Sequence, residues 1–189
     1  MEKEIKIKIS SKQFELSKTL MDSIFSSMED DEDTDDTYNT DGIAVDSADE
    51  ENSSDLLELT TEGFLRADEN RVEIIYSESE LTGMEGANTN ISFDKNNPKL
   101  ITMLRGGSVT TAMVFEAGVR HICVYETPIM PFELCVHTLK VENQLLENGK
   151  LYLDYLVEFK GAQAERTKFT LNIEEKNDDC SVLDEYYNV

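Results

Sequence analysis

The chain has 189 residues, which is long enough for one domain with a substantial hydrophobic core. Its 40 acidic and 17 basic residues give a formal net charge of −23 at pH 7, and such a charge disfavours nucleic acid and anionic membrane surfaces as partners. The three cysteines include no CxxC pair, which argues against a disulfide framework and against a structural zinc site.

The first predicted element is a β-strand. The stretch EIKIKI (residues 4–9) alternates isoleucine with lysine or glutamate, the period of two expected of a half-buried strand. The N-terminus lacks the apolar run of a signal peptide, and no stretch elsewhere is long and apolar enough to span a bilayer. The sequence therefore predicts a cytoplasmic protein with no membrane partner.

An acidic insertion is predicted next, over residues 17–53. Apolar residues recur at every fourth position from Leu16 to Met28, which predicts a short amphipathic helix. Most of the remaining insertion is a block of like charge, since residues 19–65 contain 16 acidic residues and no Lys or Arg. Such blocks are usually solvated and disordered, so we expect partial disorder there.

The end of the acidic block, NTDG, invites comparison with a calcium-binding EF-hand loop. That loop needs oxygen ligands at positions 1, 3 and 5, glycine at position 6 and glutamate at position 12. With Gly42 at position 6, Thr37 occupies the first position and Ala48 the twelfth, so both anchoring carboxylates are missing. The sequence predicts no metal site here.

From residue 55 onward the apolar pattern has a period of two and predicts a series of β-strands. Turn sequences such as Asn-Asn-Pro, Gly-Gly and Glu-Asn-Gly separate these strands at regular intervals. The predicted strands cover residues 55–66, 71–80, 89–94, 100–105, 109–116, 119–127, 132–145, 150–160 and 168–175.

The number of strands and the short connections determine the predicted fold class. About eight to ten antiparallel strands form either a meander barrel or a sandwich, and short loops favour the barrel because they pair sequence neighbours. Closure, with EIKIKI pairing to KFTLNIEE, also removes exposed sheet edges. We predict an all-β, up-and-down barrel domain over residues 1–175, interrupted by residues 17–53 and followed by an acidic tail, residues 176–189.

The barrel region also resembles a bacterial family of uncharacterised proteins typified by YwiB. The resemblance implies a calycin-like, lipocalin-type barrel that binds a ligand, and it implies no particular activity. The segments that carry it are TTEGFLR (60–66), IIYSESELTGMEGANTNISF (74–93), LITMLRGG (100–107), MVFEAGVRHICVYETP (113–128), LYLDYLVEF and FTLNIE.

This chain departs from the family pattern in two places. The family usually follows Thr-Pro with an aromatic residue and a glycine, whereas this chain has Ile129, Met130 and Pro131. The family also joins its first two strands by a short hairpin, where this chain has the acidic insertion. We expect the insertion to lie at one rim of the barrel.

Strand parity predicts a cluster of polar side chains near one mouth of the barrel. Tyr76 shares its face with Glu78 and Glu80. Arg105 and Arg120 could bind a ligand carboxylate in this cluster through paired hydrogen bonds. Alternatively, the two arginines pair with Glu78, Glu80 or Glu116 as structural salt bridges between strands. The candidate ligand-binding residues are Tyr76, Glu78, Glu80, Arg105, Arg120, His121, Tyr125, Thr127 and Tyr155.

The sequence leaves three functional hypotheses open. The first is a non-enzymatic barrel that binds a small apolar or amphipathic ligand, without a metal or cofactor. The second is a solid barrel acting as an interaction module, for example as a homodimer. The third is an enzyme, which ranks last because no nucleophile, cofactor loop or metal set is recognisable. It would use the cluster of Glu78, Glu80 and Arg105 with His121.

Overall fold

The period-two pattern folds into ten antiparallel β-strands in the described part of the chain. The computed structural model describes residues 2–15, 54–82, 86–107, 110–126, 128, 131–159 and 162–175. The strands are β1 (Glu2–Glu15), β2 (Ser54–Ala67), β3 (Arg71–Ser77), β4 (Asn88–Asp94), β5 (Asn97–Gly106), β6 (Thr110–Phe115), β7 (Arg120–Glu126), β8 (Pro131–Gln144), β9 (Lys150–Phe159) and β10 (Ala162–Glu175).

The strands close into an up-and-down barrel. Each strand pairs with its neighbours in sequence, and β1 pairs with both β2 and β10, so that Ile7 lies between Thr61 and Ile173. The predicted all-β meander barrel and the pairing of its terminal strands are thus confirmed. Lipocalin barrels have eight strands, and the lipocalin-like detail stays a prediction.

Several predictions lie outside the described residues. These are the amphipathic helix starting near Leu16, the acidic run with its EF-hand comparison, and the tail at residues 176–189. The described strands agree with an insertion between the first two strands, since β1 ends at Glu15 and β2 begins at Ser54.

Helical structure in the described residues is confined to two short turns. A single α-turn, Leu145–Asn148, joins β8 to β9 and ends at Gly149, whose φ of 73° is left-handed. A 3-10 turn, Glu80–Thr82, follows β3. No described helix has the length and apolar character needed to cross a membrane.

The predicted strand over residues 71–80 is too long. The β3–β4 ladder ends where Ser77 faces Asn88, after which the Glu78 amide donates to the Ala87 carbonyl at 2.8 Å. The Thr82 amide and hydroxyl then donate to the Ser79 carbonyl at 3.1 and 2.7 Å, which closes the 3-10 turn. The local Thr82–Ser79 hydrogen bonds replace cross-strand pairing beyond this point.

The lumen is packed with apolar side chains at the end where β1 begins. The alternation that exposes Lys6 and Lys8 turns the intervening isoleucines inward, as a period of two requires. The fully buried side chains of this core include Ile5, Ile7, Val72, Ile74, Ile91, Ile101, Met103, Phe115, Leu151, Leu153 and Leu171.

The outer face of the barrel is uneven. On β9 and β10, Leu156 is fully buried and Asp154 holds Arg166 through two hydrogen bonds of 3.0 and 2.8 Å. On β7, by contrast, Ile122 is 74% exposed and Val124 is 46% exposed. The outer face of β7 therefore carries exposed apolar side chains in the described part of the chain.

Candidate functional site

A cavity of about 440 Å³ occupies the other end of the lumen, where β1 ends and β2 begins. Several of its inner lining side chains are buried, and those near the ends of β1 and β2 are exposed, so it opens to solvent on that side. The lining residues are Ile9, Ser11, Gln13, Asp55, Leu56, Leu57, Tyr76, Glu78, Thr82, Arg105, Tyr155 and Phe169.

The strand phase that fills the core also leads into this cavity. On β1 the inward positions change from isoleucine to Ser11 and Gln13, and on β3 the inward phase reaches Tyr76 and then continues to Glu78. Smaller and more polar side chains therefore replace the aliphatic ones towards one mouth. The cavity lies where this change occurs.

An ion pair lies at the inner wall of the cavity. The Arg105 Nε atom is 3.5 Å from Oε1 of Glu78, whose side chain is only 1% exposed against 25% for the arginine. The Thr89 hydroxyl donates to the same Glu78 oxygen. Because Thr89 pairs with both Tyr76 and Arg105 across the sheet, three neighbouring strands hold this group in place.

Two tyrosines lie beside the ion pair. Burial raises the pKa of Tyr76 well above its usual value, and the nearby Glu78 carboxylate adds to this shift while Arg105 opposes it. Burial likewise raises the pKa of Tyr155, whose ring packs against Phe115 with centroids 4.8 Å apart. Both hydroxyls are therefore neutral hydrogen-bonding groups at physiological pH.

Four predicted site residues, Tyr76, Glu78, Arg105 and Tyr155, are thus brought together around one cavity. The alternative interpretation, a structural salt bridge between strands, also fits Arg105, because this arginine pairs with Glu78. These two interpretations are compatible, since a cross-strand ion pair that is part-exposed to a cavity both stabilises the sheet and presents polar atoms to a ligand.

The other predicted residues that the structure describes are not part of the cavity lining. Glu80 is exposed in the 3-10 turn, because β3 has already ended. Arg120 is exposed on the outer face of β7 and pairs with Glu158, a partner that the sequence did not suggest. Thr127 lies outside the described residues.

Tyr125 and His121 both belong to the inward phase of β7, at different heights in the barrel. Tyr125 faces Thr111, which in turn faces Arg105, so it continues the cavity's cross-strand row and packs half-buried against the core. His121 lies at the start of β7, away from the cavity, with its Nε2 atom 3.6 Å from Glu116 Oε2.

The described lining of this cavity contains no cysteine or histidine. Cys123 lies on the inward phase two residues from His121, but burial raises the pKa of its thiol, which disfavours a reactive thiolate. His137 cannot pair with His121, because His121 faces Val136 in the ladder and the adjacent His137 points outward. No metal-binding group of His, Cys, Asp and Glu occurs in the described ranges.

Sequence reasoning missed several residues of the cavity. Ser11 and Gln13 continue the inward phase of EIKIKI, so a longer first strand would have identified them. Asp55 was predicted only as the first residue of the second strand, whereas it lies opposite Gln13 at the cavity mouth. Phe169 lies on β10, whose closure against β1 brings it to the same wall.

Comparison with known proteins supports the fold and the family. The ywiB protein from Bacillus subtilis has a similar crystal structure, with a TM-score of 0.55 and 15% sequence identity, over 89% of this chain and 92% of that chain. No curated protein matches the chain. At this identity the structural likeness shows the fold alone.

A protein-family model also matches the sequence directly. It covers residues 43–171, more than half of the chain, and is described as Domain of unknown function (DUF1934). Together with the ten-strand barrel, this match confirms the resemblance to the YwiB-type family. The chain belongs to the uncharacterised family defined by the domain of unknown function DUF1934.

Proposed function

We propose that the protein binds a small amphipathic molecule in the cavity at the open end of its lumen and catalyses no reaction on it. The observation that carries this proposal is a cavity of about 440 Å³ into which a buried ion pair and aromatic side chains face together. Small-molecule sites typically measure about 300–1,000 Å³ and combine apolar walls with a few polar groups.

The lining suits a molecule with one apolar and one polar end. Ile9, Leu57 and Phe169 offer apolar surface, and burying a ligand tail against it gains roughly 25 cal/mol per Å² removed from water. The polar side chains of Gln13 and Asp55 at the mouth offer hydrogen bonds to a polar head group. The proposal that the ligand is bound without turnover is supported by the position of His121, at the far end of the lumen from this cavity.

The test compares two substitutions of neighbouring serines with each other. Ser11→Phe fills the cavity, whereas Ser10→Phe adds the same ring to the opposite face of β1. Titration calorimetry with 1-octanol should show binding to the unchanged protein and to Ser10→Phe, and none to Ser11→Phe. Native mass spectrometry of protein purified gently from its own host would then look for a bound small molecule.

Two results would overturn the proposal. One is the absence of any heat with 1-octanol together with a clean unliganded mass. The other is equal binding by the Ser10→Phe and Ser11→Phe variants, since binding would then occur away from the cavity. Circular dichroism of both variants controls for the loss of folding.

A second candidate function, a self-association module, rests on the outer face of β7. Ile122 and Val124 are unusually exposed there for aliphatic strand residues, and exposed apolar patches often mark protein interfaces. Analytical ultracentrifugation would detect a dimer that Ile122→Asp dissociates. A strictly monomeric protein would exclude this function and leave the cavity proposal intact.

A further inference from the structure

The charges lining the cavity do not cancel. Glu78 and Arg105 neutralise each other as an ion pair, and among the described lining residues the other charged side chain is the Asp55 carboxylate. The formal charge of these described residues is therefore −1. An anionic head group would have to compete with Glu78 for Arg105 and would also meet Asp55 at the mouth.

The position of Asp55 makes its charge available to a ligand head group. Asp55 pairs with Gln13 across the first two strands, and both side chains lie in the lining of the cavity. Asp55 is exposed, whereas Glu78 is buried behind it. A ligand whose tail enters the lumen would thus leave its head group at the level of Asp55.

The composition of the chain also favours a cationic ligand. Its formal net charge is −23 at pH 7, and residues 16–53, which connect β1 to β2 in the sequence, contain 13 Asp or Glu and one Lys. A strongly negative protein raises the local concentration of oppositely charged ligands.

We propose that the cavity selects cationic amphiphiles, organic ammonium compounds with an apolar tail, over anionic ones such as fatty acids. This inference rests on the proposed function and specifies its ligand class. The ammonium group lies beside the Asp55 carboxylate at the mouth, and the tail lies against the apolar wall formed by residues such as Phe169. Arg105 then serves to balance Glu78 and not to bind a ligand carboxylate.

The test uses three probes with one eight-carbon tail and different head groups. Octylammonium, 1-octanol and octanoate carry charges of about +1, 0 and −1 at pH 7, given the usual pKa values of amines and carboxylic acids. Calorimetry at low ionic strength should give affinities in that order, with octylammonium bound about tenfold or more tightly than octanoate. Added salt of about 1 M should reduce this preference, because it screens exposed charges.

Two variants that each remove one negative charge test whether the preference for octylammonium arises at the cavity mouth. Asp55→Asn should weaken octylammonium binding by about three- to tenfold and leave 1-octanol unaffected. Glu69→Gln removes the same charge from an exposed residue of the β2–β3 connection, at the opposite end of the barrel. Its effect on octylammonium should be less than about twofold, because Coulomb attraction weakens with distance and Glu69 lies at the opposite end of the barrel.

The possible outcomes separate this inference from the proposed function. If none of the three probes binds, both the proposed function and the charge selection are wrong. If 1-octanol binds but octanoate binds as tightly as octylammonium or more tightly, the cavity proposal stands and the selection of cations is overturned. Equal effects of Asp55→Asn and Glu69→Gln would also overturn it, because the preference would then reflect only the net charge of the protein.

Discussion

The two ends of the barrel lumen are built from the same strands and have opposite character. At one end Ile5, Ile74 and Leu153 are fully buried in a continuous apolar core. At the other end the same inward phase carries Gln13 on β1 and Glu78 after β3, and a cavity opens. The comparison shows that strand period decides which side chains face inward, whereas their size and polarity decide whether the interior is filled.

The packed end and the cavity end are therefore expected to respond differently to substitution. Removing atoms from the packed end leaves a void and lowers stability. Substitutions at the cavity end meet space that already exists, and they change binding more than folding. A barrel of this kind can carry a ligand site without weakening its core, because the two tasks lie at different heights along the same strands.

The largest expected effect is a truncation at the packed end. Leu153→Ala should lower the free energy of unfolding by about 2–5 kcal/mol, since the side chain is fully buried and its surroundings cannot collapse completely. Urea unfolding followed by circular dichroism measures this loss. The control is Leu56→Ala at the cavity mouth, where the side chain is 60% exposed and the change should stay within about 0.5 kcal/mol. Similar losses of stability in both variants would contradict the expected difference between the packed end and the cavity end.

A smaller loss is expected where the two ends meet, at Gly63. A Cβ atom at this position would collide with the Ile75 carbonyl oxygen and would lie 2.7 Å from the Cδ1 atom of Ile7. Gly63→Ala should therefore lower the free energy of unfolding by about 1–3 kcal/mol. Gly106→Ala is the matched control, because nothing lies within 4 Å of its added Cβ atom. A neutral Gly63→Ala variant would show that β1 and β3 separate easily here.

At the cavity end, Glu78→Gln tests the ion pair. The amide still accepts the Thr89 hydrogen bond but removes the charge that balances Arg105, so the free energy of unfolding should fall by about 1–2 kcal/mol. The affinity ratio of octanoate to octylammonium should rise in the same variant, as Arg105 becomes available to an anion. An unchanged ratio would indicate that the Glu78–Arg105 pair does not contribute to the charge selection.

Tyr76→Phe is expected to have the smallest effect on stability at neutral pH. At alkaline pH it should change how stability depends on pH. The folded-state pKa of Tyr76 is raised above the usual value of 10.0 by burial and by Glu78, so the unfolded chain loses this proton first as the pH rises. The resulting contribution to stability is complete below pH 10 and declines above it. Denaturant midpoints measured from pH 7 to 11 should fall less steeply for Tyr76→Phe than for the unchanged protein. The same dependence of the midpoint on pH in both proteins would contradict the raised pKa of Tyr76.

Much of the fold was predictable because the signals for it are local. Alternation from EIKIKI onward identifies the strands, and turn sequences such as the one before Gly149 place the connections. The phase that joins Tyr76 to Glu78 also places both side chains in the lining of one cavity. Closure followed from a global argument, namely that short loops pair neighbours and that open edges are unfavourable.

The rest of the site depends on features that strand parity does not contain. Glu80 was predicted on the same face as Glu78, but local hydrogen bonds between Thr82 and Ser79 end the strand first. His121 is on the inward face of β7, as strand parity allows, but it lies at the end of the lumen away from the cavity. Height is fixed by the register of distant strands. The same register brings Asp55 to the cavity, although the sequence predicted it only as the first residue of a strand.

The pairing of Gln13 with Asp55 has a consequence for how this family can diversify. The chain leaves β1 and re-enters β2 at adjacent positions, so the distance that a connecting segment must bridge is fixed by the ladder and does not grow with the length of the segment. The entropy of closing such a loop rises only slowly with its length. A foreign peptide or a whole reporter domain could therefore be grafted between residues 15 and 54 while the ten-strand scaffold keeps its register, which makes this rim a natural point for engineering the entrance of the barrel.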